Sequence, residues 1–228
     1  NQYATTINVA LNASTYKIIH GENTGDTEYF KKGFASDEER EAYEAELCAT
    51  VEAEGAALLK NENNALPLAS GAKVSLFGHG SVDLMYGGTG SGSVDTSKAP
   101  NLKQALEAQG ITINQTLWDL YSSDSMMSKY SRMTPASISD TLEANTQYAV
   151  NEAPWSALSS AESSFAEYGD AAIVVLSRSG GEGADLPSGE NGTSDNWISG
   201  QEGDGNYLAL SAEEIELLQN LKAMKDNG

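Results

Sequence analysis

A single glutamate, Glu182, stands among glycines directly after an apolar run. Residues 171–176 read Ala-Ala-Ile-Val-Val-Leu, which predicts a short buried strand that we interpret as the central strand of a sheet. In an open α/β sheet, ligands bind at the carboxyl edge, and glycines let a loop approach a ligand closely. Residues 177–185, which read Ser-Arg-Ser-Gly-Gly-Glu-Gly-Ala-Asp, therefore favour Glu182 as a catalytic proton donor.

A second glycine-rich segment follows an earlier predicted strand at residues 73–78. Residues 86–93 read Tyr-Gly-Gly-Thr-Gly-Ser-Gly-Ser, and backbone N–H groups in such a loop can cradle an anion. The segment lacks the Lys-Ser or Lys-Thr pair of a P-loop, and its glycines do not follow the dinucleotide-binding spacing. We interpret it as a loop that offers hydroxyl and backbone groups to sugar hydroxyls, with a tight crossover as the structural alternative.

Local signals define the elements around these two segments. Capping boxes at residues 36–39 and 211–214 predict the starts of two helices, the first of which runs to about Lys60. A helix from Pro100 to the stop at Gly110 separates the strand at residues 73–78 from one at residues 111–113. This strand-helix-strand order predicts parallel pairing.

The predicted fold class is α/β, a sandwich domain with a largely parallel sheet and helices on both faces. We expect an N-terminal arm over residues 1–35 and the sandwich domain over residues 36–228. The sheet looks incomplete at the C-terminus, because the last predicted helix should feed a further strand.

The charge balance narrows the range of partners. The formal net charge of −20 disfavours nucleic acid and anionic membrane surfaces, whereas neutral sugars are not penalised. Cys48 is the single cysteine, so no internal disulfide forms, and its helical context predicts a buried side chain. No apolar run approaches the roughly 18 residues that a membrane span needs. We predict neither a metal site nor a cofactor.

Four motifs, in order and spacing, resemble glycoside hydrolase family three, which includes β-glucosidases and related exo-acting enzymes. They are residues 54–62 with Leu-Pro-Leu at 66–68, the strand at 73–78, the glycine-rich segment at 86–92, and residues 178–185. The Gly-Gly-Thr-Gly-Ser-Gly and Ser-x-Gly-Glu-Gly-x-Asp sequences are the most specific. In that family a (β/α)₈ barrel carries the nucleophilic aspartate, and an α/β-sandwich domain carries the general acid/base.

The resemblance implies roles for individual residues. Glu182 stands at the acid/base position, and Ser91, beside Gly90, at a sugar contact. Asp185 of the same motif is a predicted substrate contact, followed here by Leu where family members often carry Arg. Independently of the resemblance, residues 151–155 predict a loop with an exposed aromatic, so Trp155 is a candidate for stacking on a sugar ring.

No barrel precedes the sandwich in this sequence, which resembles the minority arrangement with the sandwich first. The nucleophile is then expected beyond Gly228 or on another chain. The predicted function is to supply the general acid/base of an exo-acting, retaining β-glycosidase that is inactive without its barrel domain. The predicted partners are a β-linked oligosaccharide or glycoside and the barrel domain, and homo-oligomer formation stays open.

Alternatives remain at this point. Asp185, Glu190 and Glu202 are weaker candidates for the acid, because their surroundings are more polar. The alternative function is a non-catalytic carbohydrate-binding or interaction module, and a nucleotide-binding domain is a distant third. The sequence leaves the sugar, the linkage and the cellular location open, with a secreted or cell-surface location slightly favoured over the cytoplasm.

Overall fold

The computed structural model describes residues 33–87, 95–132, 150–178 and 208–226. They fall into two compact units, which meet in the sequence between Ala65 and Leu66. Each unit is therefore described by itself. The predicted boundary between an arm and a sandwich domain at residues 35 and 36 stays a prediction.

In the first unit, helix α1 spans Asp37–Gly55. The predicted capping box is formed in part: Ser36 Oγ accepts from the backbone N–H of Glu39, while the Glu39 carboxylate accepts from Ala35 N. The predicted end at about Lys60 is wrong. The helix ends at Gly55, and glycine is about 1 kcal/mol less favourable than alanine inside a helix.

The side chains of α1 correct a second expectation. Cys48 is exposed, so its predicted burial is wrong. None of the residues of α1 is buried, and Val51 on the predicted apolar stripe is 63% exposed. A helical pattern in the sequence thus predicted the helix correctly but not the burial of its apolar residues.

The second unit contains a parallel three-stranded sheet. Its strands are β1 (Lys73–Phe77), β2 (Thr112–Ile113) and β3 (Ala171–Val174), in the order β2-β1-β3. Val74 pairs with Ile113 on one side of β1, and Phe77 pairs with Val174 on the other. Because β1 lies between two partners, it is the strand that is buried along most of its length.

The position of β3 corrects the prediction for residues 171–176. Within the described residues β3 pairs only with β1, so β1 and not β3 is the central strand. The strand ends at Val174, its side chains are half-buried or exposed, and Leu176 is 41% exposed. Apolar content indicated a strand, but the order of strands depends on contacts between distant segments.

The connection between β1 and β2 confirms the predicted strand-helix-strand unit. Helix α2 spans Leu102–Ala108 and begins with a capping box in which the Asn101 and Gln104 side chains satisfy each other's backbone N–H groups. Gly110 ends the connection at φ +78°, a left-handed conformation that glycine adopts without steric cost. Parallel pairing of β1 with β2 follows from this crossover.

The remaining helices follow β2. They are α3 (Gln115–Tyr121), α4 (Asp124–Tyr130), a 3₁₀ turn at Trp155–Leu158, the short α5 (Glu162–Phe165) and α6 (Ala212–Asp226). The second predicted capping box is confirmed at the start of α6. Ser211 Oγ accepts from the backbone N–H of Glu214, and the Glu214 carboxylate accepts from Ser211 N.

Apolar side chains cover both faces of the sheet. Val74 and Leu76 of β1 belong to a cluster that includes Leu106 of α2. Phe77, on the opposite face, belongs to a cluster with residues from α3, α4, α5 and α6, among them Leu117, Tyr121, Met126, Phe165 and Leu217. The predicted α/β class, with a parallel sheet and helices on both faces, is confirmed.

Two searches of the described ranges found nothing. No helix there combines the length and the apolar character needed to cross a membrane. Nor do three or more His, Cys, Asp or Glu side chains in those ranges come together in a way that could hold a metal ion.

Candidate active site

The chain leaves β1 and β3 side by side at the carboxyl edge of the sheet. Val175 N donates to Phe77 O at 3.1 Å, which extends the pairing by one residue. A Cβ atom added to Gly78 or Gly80 would lie 2.8 or 2.9 Å from Val175 O. Both positions therefore require glycine, because the two backbones approach too closely for any side chain between them.

A buried carboxylate gathers the donors at the end of β1. Glu152 Oε2 accepts from His79 N at 2.9 Å and from His79 Nδ1 at 3.0 Å, and Glu152 Oε1 accepts from Ala153 N at 3.0 Å. The two side chains are only 6% and 2% exposed, respectively. Since an ionised carboxylate only accepts, Nδ1 carries the proton of this bond. His79 Nε2 has no hydrogen-bond partner among the described residues.

A buried phenol completes this corner. Tyr121 of α3 accepts from the backbone N–H of Gly78 through its hydroxyl oxygen at 3.1 Å. Burial raises the pKa of Tyr121 far above its ordinary value of 10.0, and the nearby charge of Glu152 raises it further. The bond from Gly78 acts in the opposite direction but is outweighed. The hydroxyl therefore stays protonated and serves as an acceptor for the strand end.

A buried ion pair holds the end of β3. Arg178 donates from Nη1 to Glu214 Oε1 at 2.8 Å and from Nη2 to Glu214 Oε2 at 2.7 Å. The same guanidinium donates to Ser177 O at 3.1 Å and to Ala209 O at 2.6 Å. The Glu214 side chain is 1% exposed, so its charge depends on this pairing.

A second buried arginine reaches the same place from the end of α4. Arg132 pairs with Asp83 Oδ1 at 2.9 Å and donates to Leu84 O at 3.3 Å. It also lies within 3.5 Å of Ser177 Oγ. Ser177 is therefore contacted by two guanidinium groups, one through its carbonyl and one through its hydroxyl.

Most of the predicted site residues lie outside the described ranges. These are Glu182, Asp185, Gly90 and Ser91, together with the weaker candidates Glu190 and Glu202. The described chain reaches Gly87 on one side of the glycine-rich segment and Arg178 on the near side of the acidic motif. Both of these flanking residues lie on the carboxyl side of their strands.

Trp155 is the predicted site residue that the structure describes. The expectation of an exposed aromatic in a loop is wrong, since Trp155 begins a 3₁₀ turn and is half-buried. Its ring stacks on Phe77 at 6.3 Å between centroids and meets Phe165 at 5.9 Å. Its backbone N–H donates to Glu216 of α6. Its role as a sugar contact stays a prediction.

Sequence reasoning missed the polar groups that hold this edge together. Glu152 has no local signal, because its partner His79 is 73 residues away. Glu214 was recognised only as a helix cap, although Arg178 of the motif also binds it. A buried arginine just before a motif, and an acidic cap far along the chain, become meaningful only when the fold brings them together.

Comparison with known proteins defines the class of this chain. The model of the glycosyl hydrolase family 3 C-terminal domain matches residues 56–227. The chain therefore belongs to glycosyl hydrolase family 3, through the α/β-sandwich domain of that family, as the sequence resemblance predicted.

Two relatives agree with this assignment. β-Glucosidase A of Butyrivibrio fibrisolvens is 34% identical over 146 residues, which cover 61% of this chain and 15% of the relative. The crystal structure of a β-glucosidase from Paenibacillus barengoltzii matches with a TM-score of 0.55 and 26% identity, covering 78% of this chain and 17% of the other. The chain thus spans about one sixth of the length of these relatives.

Proposed function

We propose that this chain is the α/β-sandwich part of an exo-acting, retaining β-glycosidase and that Glu182 is its general acid/base. The chain begins the acidic motif at Ser177 and Arg178, which are held at the carboxyl end of β3, four residues before Glu182. This observation carries the proposal, because the carboxyl edge of a parallel sheet is where ligands bind in open α/β folds. Family membership and two β-glucosidase relatives support the same chemistry.

The chemistry needs two carboxyl groups. A retaining glycosidase holds them about 5–5.5 Å apart, with one protonated and one ionised. Glu182 protonates the departing glycosidic oxygen and later removes a proton from the attacking water. The nucleophilic aspartate belongs to a barrel domain that this chain does not contain, so the chain is inactive without it.

Sugar contacts are proposed at four further positions. Ser91 and Gly90 offer a hydroxyl and a backbone group from the glycine-rich segment that follows β1. Asp185 belongs to the acidic motif, and Trp155 presents whatever part of its ring is not packed on Phe77 and Phe165. The substrate class that these groups fit is a terminal β-linked glycoside.

The dependence on leaving group tests the role of Glu182. In the full-length protein that carries this chain together with its barrel, Glu182→Ala should lower kcat for an alkyl β-glucoside by about 10²–10⁴-fold, because that leaving group needs a proton. Turnover of 2,4-dinitrophenyl β-glucoside should fall much less. Added azide should restore that turnover and give the β-glycosyl azide, since it needs no general base.

Glu190→Ala is the matched control, an acidic residue of the same segment that should leave the ratio of the two substrates unchanged. Loss of the alkyl substrate in Glu190→Ala but not in Glu182→Ala would move the acid to another residue. A full-length protein that binds glucosides without cleaving any of them would favour the alternative of a non-catalytic carbohydrate-binding module.

A further inference from the structure

We propose that Arg178 is a positioning residue for the general acid/base, acting by fixing the point at which the acidic motif leaves the sheet. The inference rests on the proposed role of Glu182 and deepens it. Arg178 is assigned no contact with substrate. Its task is to join the end of β3 to the beginning of α6.

The contacts of the guanidinium bring two distant segments together. On one side it donates to Ser177 O, at the end of β3, and on the other to Ala209 O and to both carboxylate oxygens of Glu214. Residues 179–207 leave the first segment and return to the second. Arg178 therefore joins the described chain on either side of the stretch that contains Glu182.

The geometry of this pair is specific to arginine. Two parallel N–H···O bonds from one planar group to one carboxylate fix both distance and orientation, which the single ammonium of lysine cannot do. The Arg178 and Glu214 side chains are 15% and 1% exposed, so water competes little for either. The positive charge is already paired with Glu214, which fits a structural use of the cation better than binding of an anionic ligand.

The position of Arg178 limits where the acid can lie. Glu182 follows it by four residues, and four residues of fully extended chain span at most about 14 Å. A shift of the Arg178 backbone is therefore passed on to the motif with little slack. A misplacement of about 1 Å at a reacting group can cost about 100-fold in rate.

The test compares two substrates in the full-length enzyme. Arg178→Met should lower kcat for an alkyl β-glucoside by about 100-fold but should lower kcat for 2,4-dinitrophenyl β-glucoside less than about 5-fold. Arg178→Lys should also lose the alkyl substrate, since it keeps the charge without the paired geometry. A merely structural arginine would lower the rates for both substrates by the same factor, as the fraction of folded enzyme falls.

A double variant separates positioning from stability. Arg178→Met leaves the buried Glu214 carboxylate without its partner, whereas Arg178→Met with Glu214→Met removes both charges and should recover most of the lost Tm. The shift in substrate ratio should persist in the double variant. Recovery of the wild-type ratio together with the Tm would overturn the proposal.

Arg132→Met is the matched control, since Arg132 is also buried, at 10% exposure, and also contacts Ser177. It should leave the ratio between the two substrates unchanged. An equal shift of the ratio in Arg132→Met would contradict a specific role for Arg178. If Glu182→Ala shifts the ratio and Arg178→Met does not, only this inference fails. If Glu182→Ala itself leaves the ratio unchanged, the proposed function fails.

Discussion

The ends of β1 and β3 lie next to each other but are held by groups of opposite charge. At the end of β1 the buried carboxylate of Glu152 accepts two backbone N–H groups and the Nδ1–H of His79. At the end of β3 the guanidinium of Arg178 donates to two backbone carbonyls and to Glu214. Each strand end thus receives the charge that its surplus backbone groups require.

The two arrangements differ in how much freedom they leave. The β1 end combines a carboxylate, a phenol and two glycines that admit no Cβ, all within the second compact unit. The β3 end relies on one long side chain that reaches to α6. We infer that the β1 end mainly supports the fold, whereas the β3 end adjusts the placement of the proposed catalytic motif. Three substitutions at the β1 end test the first half of this statement.

Removal of the buried carboxylate should have the largest effect. Glu152→Ala leaves the backbone donors of His79 and Ala153 and the imidazole without an acceptor, and we expect the free energy of unfolding to fall by about 4 kcal/mol. Chemical denaturation measures this loss. Glu216→Ala is the control, because it removes a carboxylate that accepts one exposed backbone N–H, from Trp155, and should cost about 1 kcal/mol or less. Equal losses in the two variants would contradict the comparison.

Substitution of the glycine that follows β1 should have the next largest effect. Gly78→Ala places a Cβ 2.8 Å from Val175 O at a backbone φ of +85°, and we expect a loss of about 3 kcal/mol. Gly71→Ala is matched in φ, at +78°, but its Cβ meets nothing within 4 Å, so it should cost only about 1 kcal/mol. The difference between the two variants measures the close approach of β1 and β3. Similar losses in both would show that this approach carries no energetic weight.

Local patterns in the sequence predicted the elements correctly. The strand at residues 73–77, the helix that Asn101 caps and Gly110 follows, and the capping box of Ser211 and Glu214 each depend on residues within a few positions of one another. The acidic motif was recognised for the same reason, since it is contiguous. Parallel pairing then followed from the short crossover between β1 and β2.

Contacts between distant segments were not predictable in this way. The pairing of His79 with Glu152 spans 73 positions, and that of Arg178 with Glu214 spans 36. The edge position of β3 and the packing of Trp155 on Phe77 likewise depend on the assembled fold. The sequence therefore predicted which segments carry the proposed chemistry, whereas the groups that hold those segments in place emerged only from the structure.

The smallest of the three effects concerns the phenol at the end of β1. Tyr121→Phe removes the acceptor of the buried Gly78 N–H, and we expect a loss of about 1.5 kcal/mol near pH 7 by chemical denaturation. Tyr86→Phe is the control, because the hydroxyl of Tyr86 binds Pro100 O at an exposed position and should contribute less than about 0.5 kcal/mol.

The same phenol predicts a pH dependence whose sign follows from its raised pKa. Above the ordinary value of 10.0, Tyr121 loses its proton in the unfolded chain but keeps it in the fold, so the folded state binds more protons and stability falls as pH rises. Between pH 9 and pH 11 the free energy of unfolding should fall by about 1.4 kcal/mol more in the wild type than in Tyr121→Phe. The destabilisation caused by Tyr121→Phe should therefore nearly vanish at pH 11. A constant difference across this range would mean that the phenol is not kept neutral by burial beside Glu152, and the β1 end would then be less dry than its contacts indicate.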